Sequence, residues 1–245
     1  MPGFTERMRD YSIATEIKNL ADEEGRASAI RTLKAFGEPA VPFLIDVLGD
    51  PSRRAHATIV LSEIGEPAIP ALIDALSDDS KKQYASAALN QMGKKKDKTQ
   101  TIIIPRLIDA LADKRKQGMA GVTLQNFGAT ALEPFIPSLI NSLGNMDVDD
   151  SAFAAKVLIG IGKPAVGPLM NAVSDESKKE WVSAILQEIA QKDNTVHIPV
   201  TITQKTTPAP SPTPNQSPKP KFCRSCGSSL TLDSTYCPQC GKKVE

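Results

Sequence analysis

The sequence is poor in aromatic residues and histidine, and it has no cysteine before residue 223. Aromatic residues make up 4% of the 245 residues, with a single Trp, and the two histidines, His56 and His197, lie in different segments. No thiol nucleophile, no histidine with a recognisable catalytic partner and no glycine-rich phosphate loop can be identified. We therefore expect no catalytic residues and a protein that is not an enzyme.

Long apolar runs are also absent. No run of about 18 apolar residues occurs, which argues against a membrane-spanning helix. The N-terminal MPGFTERMRD lacks the apolar core of a signal peptide. We expect a cytoplasmic protein, a monomer, with no membrane partner.

What the sequence does contain is a repeat of 28 residues. Residues 37–64 are GEPAVPFLIDVLGDPSRRAHATIVLSEI, and residues 65–92 are GEPAIPALIDALSDDSKKQYASAALNQM. Self-similarity at a period between about 20 and 50 residues is typical of solenoids, in which each unit buries its apolar face against its neighbours.

Each unit predicts a hairpin of two helices. A glycine ends the preceding helix, the proline two residues later opens the next one, and apolar residues then recur at i, i+3, i+4 and i+7. Ser52 and Ser80 are the predicted N-caps of the second helices, Ser80 in a capping box with Gln83. The second helices are predicted to end at Gly65 and Gly93.

Two series of leucines align the remaining units. The first-helix leucines are Leu44, Leu72, Leu107, Leu139 and Leu169. The second-helix leucines are Leu33, Leu61, Leu89, Leu124, Leu158 and Leu186. The second series is spaced by 28, 28, 35, 34 and 28 residues, which places insertions near 94–101, 129–133 and 145–149. About six helical hairpins are expected, beginning with an atypical first helix over residues 5–20.

These units resemble the short HEAT repeats of phycobilisome-lyase-like proteins, which read GEPAVPxLIDxL, a turn, and AxxxLxxxG. The resemblance implies an all-α fold, a right-handed α-solenoid whose second helices line a concave face. The later units depart from the pattern at Gly167, where Pro42 stands, and at Asn141 and Asn171, where Asp46 stands.

The C-terminal part has a different composition. Of the 29 basic and 28 acidic residues, seven and three lie after residue 190, which leaves 22 and 25 before it. The segment TTPAPSPTPNQSPKPK predicts an extended, semi-rigid spacer. We expect a solenoid over 1–190, a flexible Pro-rich linker over 191–221 and a small module over 222–245.

This last module holds all four cysteines as two Cys-x2-Cys pairs. They are Cys223, Cys226, Cys237 and Cys240. Four thiolates at this spacing close a tetrahedral Zn²⁺ site, so we expect one structural zinc ion; two disulfides and a rubredoxin-like iron are the alternatives. The segment resembles zinc ribbons written FCxxCGxxLxxxxxYCxxCGxxL.

Stacking also creates columns of equivalent residues on the second helices. Seven residues before the leucine is a basic column: Arg26, Arg54, Lys82 and Lys179. The alternatives are a ladder of inter-repeat pairs with Asp, which HEAT proteins typically have, and an anion-binding stripe. Five residues before the leucine is a column of mostly large side chains: His56, Tyr84, Met119, Phe153 and Trp181. They either pack between repeats or form a partner-binding stripe.

Three functions remain open at this point. The first is a scaffold or adaptor that binds a protein or peptide on the concave face and uses the ribbon as a second interaction module. The second is a nucleic-acid-associated protein that binds weakly through Lys221, Arg224, Lys242 and Lys243. The third, by resemblance to HEAT-like bilin lyases and DNA glycosylases, is an enzyme.

Overall fold

A computed structural model gives the fold. The residues that the structure describes are 4–94, 98–143, 148–196, 221–222 and 229–230. The chain divides into two units, Met1–Thr203 and Gln204–Glu245.

The described residues of the first unit form six helical hairpins. In chain order the helices are α1 (Phe4–Asn19) and α2 (Arg26–Phe36); α3 (Val41–Asp46) and α4 (Arg54–Ile64); α5 (Ile69–Ala75) and α6 (Lys82–Lys94); α7 (Thr99–Ala110) and α8 (Gln117–Phe127); α9 (Ala129–Leu132), α10 (Ile136–Ser142) and α11 (Val148–Ile161); α12 (Lys163–Ala172) and α13 (Lys179–Lys192). The short helix α9 is an extra turn before the fifth hairpin. The last helix ends at Lys192, two residues beyond the solenoid boundary expected from sequence.

Each hairpin stacks on the next in the same way. Second helices contact second helices along the series α2, α4, α6, α8, α11 and α13, and first helices contact first helices along α1, α3, α5, α7, α10 and α12. All eleven leucines of the two aligned series are fully buried. This confirms an all-α solenoid whose core is the continuous layer between its first and second helices.

Glycines with positive φ separate several of the hairpins. Gly37, Gly65, Gly128 and Gly162 have φ angles of 66°, 79°, 81° and 73°, which residues with a Cβ rarely adopt. Gly93, predicted to end a helix, instead lies inside α6. The Phe127 ring explains it: a Cβ on Gly93 would lie 2.0 Å from Cε1 of that ring. Glycine is needed here for close packing, and not for a turn.

Aspartates, and not the predicted serines, organise the turns inside the hairpins. Helix α4 begins at Arg54 without a side-chain cap. Asp50 Oδ1 accepts hydrogen bonds from the Ser52 amide at 2.9 Å and from its hydroxyl at 2.7 Å. The same turn recurs at Asp78 with Ser80 and at Asp175 with Ser177. The capping assignment for Ser52 and Ser80 was therefore wrong, because each hydroxyl is already committed to the aspartate two residues earlier.

The second unit is described at two short strands, β1 (Lys221–Phe222) and β2 (Ser229–Leu230). They pair antiparallel, with Lys221 opposite Leu230 and Phe222 opposite Ser229. Among the helices within the described ranges, none has the length and apolar character needed to cross a membrane.

Candidate partner-binding face

One outer surface of the solenoid is formed by the sides of the second helices that point away from the hairpin cores. Two residues before each second-helix leucine, the side chain points about 160° away from it, because successive residues turn by about 100°. We call this column, with its flanking residues, the second-helix face. Its members are Arg31, Ile59, Ala87, Val122, Lys156 and Ala184. All are exposed except Ala87, which is half-buried.

Two large aliphatic side chains on this face are exposed. Ile59 on α4 is 39% exposed and Val122 on α8 is 50% exposed. Across the described residues, the other large apolar side chains exposed to this degree are Met8 and Tyr11, both on α1. Half of the exposed large apolar residues therefore fall at one repeated position, with Ala87 on α6 between them. They form an apolar strip.

The charges of the second-helix face are distributed unevenly. Glu63 is neutralised by Lys34 at 3.2 Å, and Glu188 by Lys192 at 3.0 Å. Among the described residues, the hydrogen-bond acceptor of Arg31 is the carbonyl of Ala27 in its own helix, at 3.3 Å. The Lys156 ammonium lies 5.3 Å from the centre of the Phe153 ring. Within the described ranges, neither cation of this column has a carboxylate partner.

A cavity of about 410 Å³ adjoins the face next to Lys156. It opens where α9 inserts an extra turn, and Gly160 on α11 leaves its floor without a side chain. Gln125 lies on its wall and donates to the Lys156 carbonyl at 3.3 Å. Glu188 and Lys192 of α13 also line it. The cavity and the second-helix face share Lys156.

The column of large side chains five residues before the leucine lies between hairpins. The Tyr84 ring is half-buried beneath the Arg54 guanidinium, 4.6 Å from its centroid, so that α4 and α6 are joined. The half-buried Phe153 ring packs on the glycines of α8: a Cβ built on Gly121 would be 3.5 Å from Cδ1, and one on Gly118 would be 3.9 Å from the ring. For these two residues the geometry favours the inter-repeat alternative.

The other members of that column are also half-buried. Met119 and Trp181 pack against the core. The Nδ1 atom of His56 is buried without a hydrogen-bond partner. Burial, and next to it the charge of Arg26, lowers the pKa of His56, which favours the neutral imidazole.

In the described part of the chain, the residues of the basic column do not pair with aspartates of the neighbouring hairpins, as an inter-repeat ladder would require. Arg26 Nε donates to the Leu20 carbonyl at 3.1 Å, and Arg54 stacks on Tyr84. Lys82 and Lys179 pair with Asp79 and Glu176 three residues earlier in the chain. None of the four reaches an aspartate of the neighbouring hairpin within the described residues.

An Asp–Lys ladder does exist, one residue earlier. Lys81 reaches Asp46 of the preceding hairpin at 3.6 Å, and Lys116 reaches Asp74 at 2.7 Å. The hydrogen bond that Lys116 donates to the Asp74 carboxylate raises the pKa of Lys116. Each lysine also contacts the aspartate of its own turn, so the ladder couples each turn to the preceding repeat.

Sequence reasoning missed Ile59 and Val122 as surface residues. The helical angle alone would have found them, since two residues before the leucine is about 160° from it and five residues before is about 140°. The larger aromatic side chains drew attention to the neighbouring column, whose members are half-buried. Their size is needed instead to fill the space between hairpins.

The four cysteines of the predicted zinc site lie outside the described residues. The strands nevertheless bear on the site: β1 ends immediately before Cys223, and β2 begins three residues after Cys226. Pairing of these strands brings together the two ends of the first Cys-x2-Cys segment. Four thiolates as the donor set fit Zn²⁺.

Comparison with known proteins agrees with this organisation. A family model of HEAT repeats matches residues 13–93. These residues are HEAT repeats. A second family model, of a zinc-ribbon domain, matches residues 222–244. The resemblances noted in the sequence are thereby confirmed for both segments.

Whole-chain comparisons add little. No curated protein matches the chain. Among solved structures, that of human deoxyhypusine hydroxylase in complex with glycerol is 18% identical and covers 76% of this chain and 97% of that one, with a TM-score of 0.24. At that TM-score, the similarity supports no inference about function.

Proposed function

We propose that this protein is a non-catalytic scaffold that binds a protein or peptide partner on the second-helix face, the concave face of HEAT solenoids. The observation that carries the proposal is the apolar strip of Ile59, Ala87 and Val122. Exposing aliphatic side chains at one repeated position is costly in water and is typical of interaction surfaces. The strip lies on second helices whose opposite sides are fully packed, so it is presented on a rigid support.

The chemistry of the face supports binding in preference to catalysis. Its central column consists of aliphatic residues flanked by Arg31 and Lys156, and its carboxylates Glu63 and Glu188 are held in ion pairs. Paired carboxylates of this kind are poor candidates for a general base. His56, the histidine nearest in sequence to Ile59, is half-buried.

We propose that the ribbon is a second interaction module, held by one structural zinc ion at Cys223, Cys226, Cys237 and Cys240. A segment of this size cannot bury enough apolar surface to fold unaided, so the metal supplies its folding free energy. Protein purified without chelator should contain about one equivalent of zinc by elemental analysis. Chelation should remove the metal and leave the helical circular dichroism signal unchanged; a large loss of helix would contradict the proposal.

The scaffold function is tested by site-specific cross-linking. A photoreactive amino acid placed at Val122 should capture a partner in cells that express the protein, because this position lies on the apolar strip. The matched control carries the same amino acid at Arg106, which is exposed on the first helix α7. Equal capture at both positions, or none at Val122, would refute the assignment of the partner site to the second-helix face.

A further inference from the structure

We infer that the second-helix face takes an extended acidic–apolar peptide segment of about twelve residues, with aliphatic side chains at its centre and carboxylates towards both ends. This inference rests on the proposed scaffold function and names the class of partner. Three features of the face support it: the apolar strip, the two cations without a carboxylate partner in the described residues, and the distances between these groups.

The centre of the face selects aliphatic side chains. Ile59 and Val122 present methyl groups to solvent, and the intervening Ala87 leaves a shallow depression between them. Exposed amides flank the strip: Gln83, Gln91 and Asn126. The apolar surface is therefore about one side chain wide, which suits a single extended chain better than the broad face of a helix or sheet.

The ends of the face select carboxylates. Arg31 lies one hairpin before Ile59, and Lys156 lies one hairpin after Val122, each at the same repeated position and each without a carboxylate partner in the described part of the chain. Two of the acidic groups near this column, Glu63 and Glu188, are already neutralised by lysines, and Glu180 is exposed at the start of α13, beyond the apolar strip. Cations at both ends therefore complement a segment that carries acidic residues on both sides of its apolar centre.

Distances between the helices set the spacing. Neighbouring packed helices lie about 8–10 Å apart, and α4 and α8 are two such steps apart, so Ile59 and Val122 are about 16–20 Å apart. An extended chain rises about 3.3 Å per residue, which places its two apolar anchors about five or six residues apart. Four steps separate Arg31 from Lys156, about 32–40 Å, which corresponds to about ten to twelve residues.

The same features disfavour nucleic acid as the occupant. Two isolated cations separated by an aliphatic strip neutralise few phosphates, whereas nucleic-acid surfaces provide many closely spaced ones. The strip also offers no exposed aromatic ring on which a base can stack. The occupant is therefore inferred to be a polypeptide.

The test is an unbiased selection on the full-length protein, using a displayed library of random 16-residue peptides. We expect enriched peptides to carry two aliphatic residues about five or six positions apart, with Asp or Glu on both sides. Their binding, measured by fluorescence anisotropy, should weaken as salt is raised.

Matched variants assign the binding to the face. The double variant Ile59→Ser/Val122→Ser should weaken binding about tenfold or more, and Arg31→Gln/Lys156→Gln about two- to tenfold. The apolar control is Met8→Ser/Tyr11→Ser on α1, and the charge control is Arg7→Gln/Arg106→Gln. All four control residues are exposed away from the column, so both control variants should bind like the wild type.

The outcomes separate this inference from the scaffold function. Enriched peptides that lack acidic residues, yet lose binding in Ile59→Ser/Val122→Ser, would overturn the inference and leave the scaffold function standing. If the enriched peptides bind every variant as tightly as the wild type, neither the scaffold function nor the peptide site can be assigned to this face. A selection that enriches nothing would also overturn the inference, while the cross-linking experiment at Val122 would still decide the scaffold function by itself.

Discussion

The joints between the N-terminal hairpins are made differently from those that follow. Charged pairs cross the first three joints: Lys34 with Glu63, Lys81 with Asp46, and Lys116 with Asp74. Further along, rings rest on glycines: Phe127 on Gly93, and Phe153 on Gly118 and Gly121. The joint between the third and fourth hairpins uses both kinds of contact.

This difference shows that one fold is maintained by two kinds of sequence. The HEAT-repeat match covers residues 13–93, where units keep the same residues at the same positions. Beyond it, Asn141 stands where the ladder needs an aspartate, and Lys178 pairs only with Asp175 of its own turn among the described residues. Packing specific to each joint then replaces the repeated ion pair, and the recognisable sequence pattern fades although the leucine core continues.

The largest effect is expected from Phe153→Ala, which removes a ring from the joint between the fourth and fifth hairpins. The ring is half-buried against glycines that cannot fill the space, so the free energy of unfolding should fall by about 2–4 kcal/mol. Chemical denaturation measures this change. Val122→Ala, an exposed substitution on the neighbouring helix, is the control and should stay within about 0.5 kcal/mol. An equally small effect of Phe153→Ala would return this residue to the list of partner-binding candidates.

A somewhat smaller loss is expected from Gly93→Ala. The new methyl group overlaps the Phe127 ring, at an expected cost of about 1–3 kcal/mol, although alanine favours a helix by about 1 kcal/mol over glycine. The decisive measurement is a double-mutant cycle with Phe127→Ala. If the overlap is the cause, Gly93→Ala should become neutral or stabilising once the ring is gone.

Breaking the Asp–Lys ladder should lower the free energy of unfolding by less than either of the substitutions above. Lys116→Gln removes the pair with Asp74, whose side chain is 76% exposed, so the loss should be about 0.2–1 kcal/mol and should shrink at high salt. Lys178→Gln is the matched control, because Lys178 has a pair within its turn but none across a joint in the described residues. If the two variants lose the same free energy, the ion pair across the joint contributes nothing.

Substitutions of the turn aspartates are expected to show the smallest difference in stability between the two ends of the solenoid, because the same turn occurs at both ends. Hydrogen bonds from Ser52 and the nearby Arg53 lower the pKa of Asp50 to about 2, and Lys178 and Ser177 lower that of Asp175 to about 2. A carboxyl group whose pKa is lowered by folding stabilises the folded state. The stabilisation is fully present at pH values above the pKa of the unfolded chain, about 3.9, and is lost as the pH falls towards 2.

Thermal unfolding at pH values from 6 to 2 tests this expectation. Asp50→Asn and Asp175→Asn should each lower the midpoint temperature of unfolding near neutral pH. In each variant this temperature should then decrease less between about pH 4 and pH 2 than it does in the wild type. Similar shifts in both variants would show that the turn works alike at the two ends. If both variants have the same dependence of the midpoint temperature on pH as the wild type, these carboxylates do not control stability in acid.

Much of the fold can be predicted from the sequence because the repeated units can be aligned with one another. Leucines at fixed positions predict which side of each helix is buried, and glycine followed by proline predicts the start of a hairpin. The insertion expected near 129–133 is confirmed by α9, and it was signalled by the spacing of Leu124 and Leu158, which departs from 28 residues.

The candidate face was harder to predict because its residues are ordinary ones. The helical angle puts Ile59 and Val122 on the side away from the leucines, yet nothing in their residue type distinguishes them from the buried aliphatic residues of the same helices. Lys81 and Lys82 differ by one position, and only the direction of α6 decides that Lys81 turns towards Asp46. Contacts across a joint depend on such angles, which a one-dimensional pattern does not contain.

The hydroxyl groups of the first hairpin have a consequence for how its polar side chains are accommodated. Ser12, Thr15 and Thr32 each donate at 3.0 Å to a carbonyl of their own helix, four residues earlier. Each hydroxyl proton therefore has an acceptor inside its own helix and needs none from another hairpin. Polar residues on α1 and α2 can thus be tolerated without any specific contact across a joint.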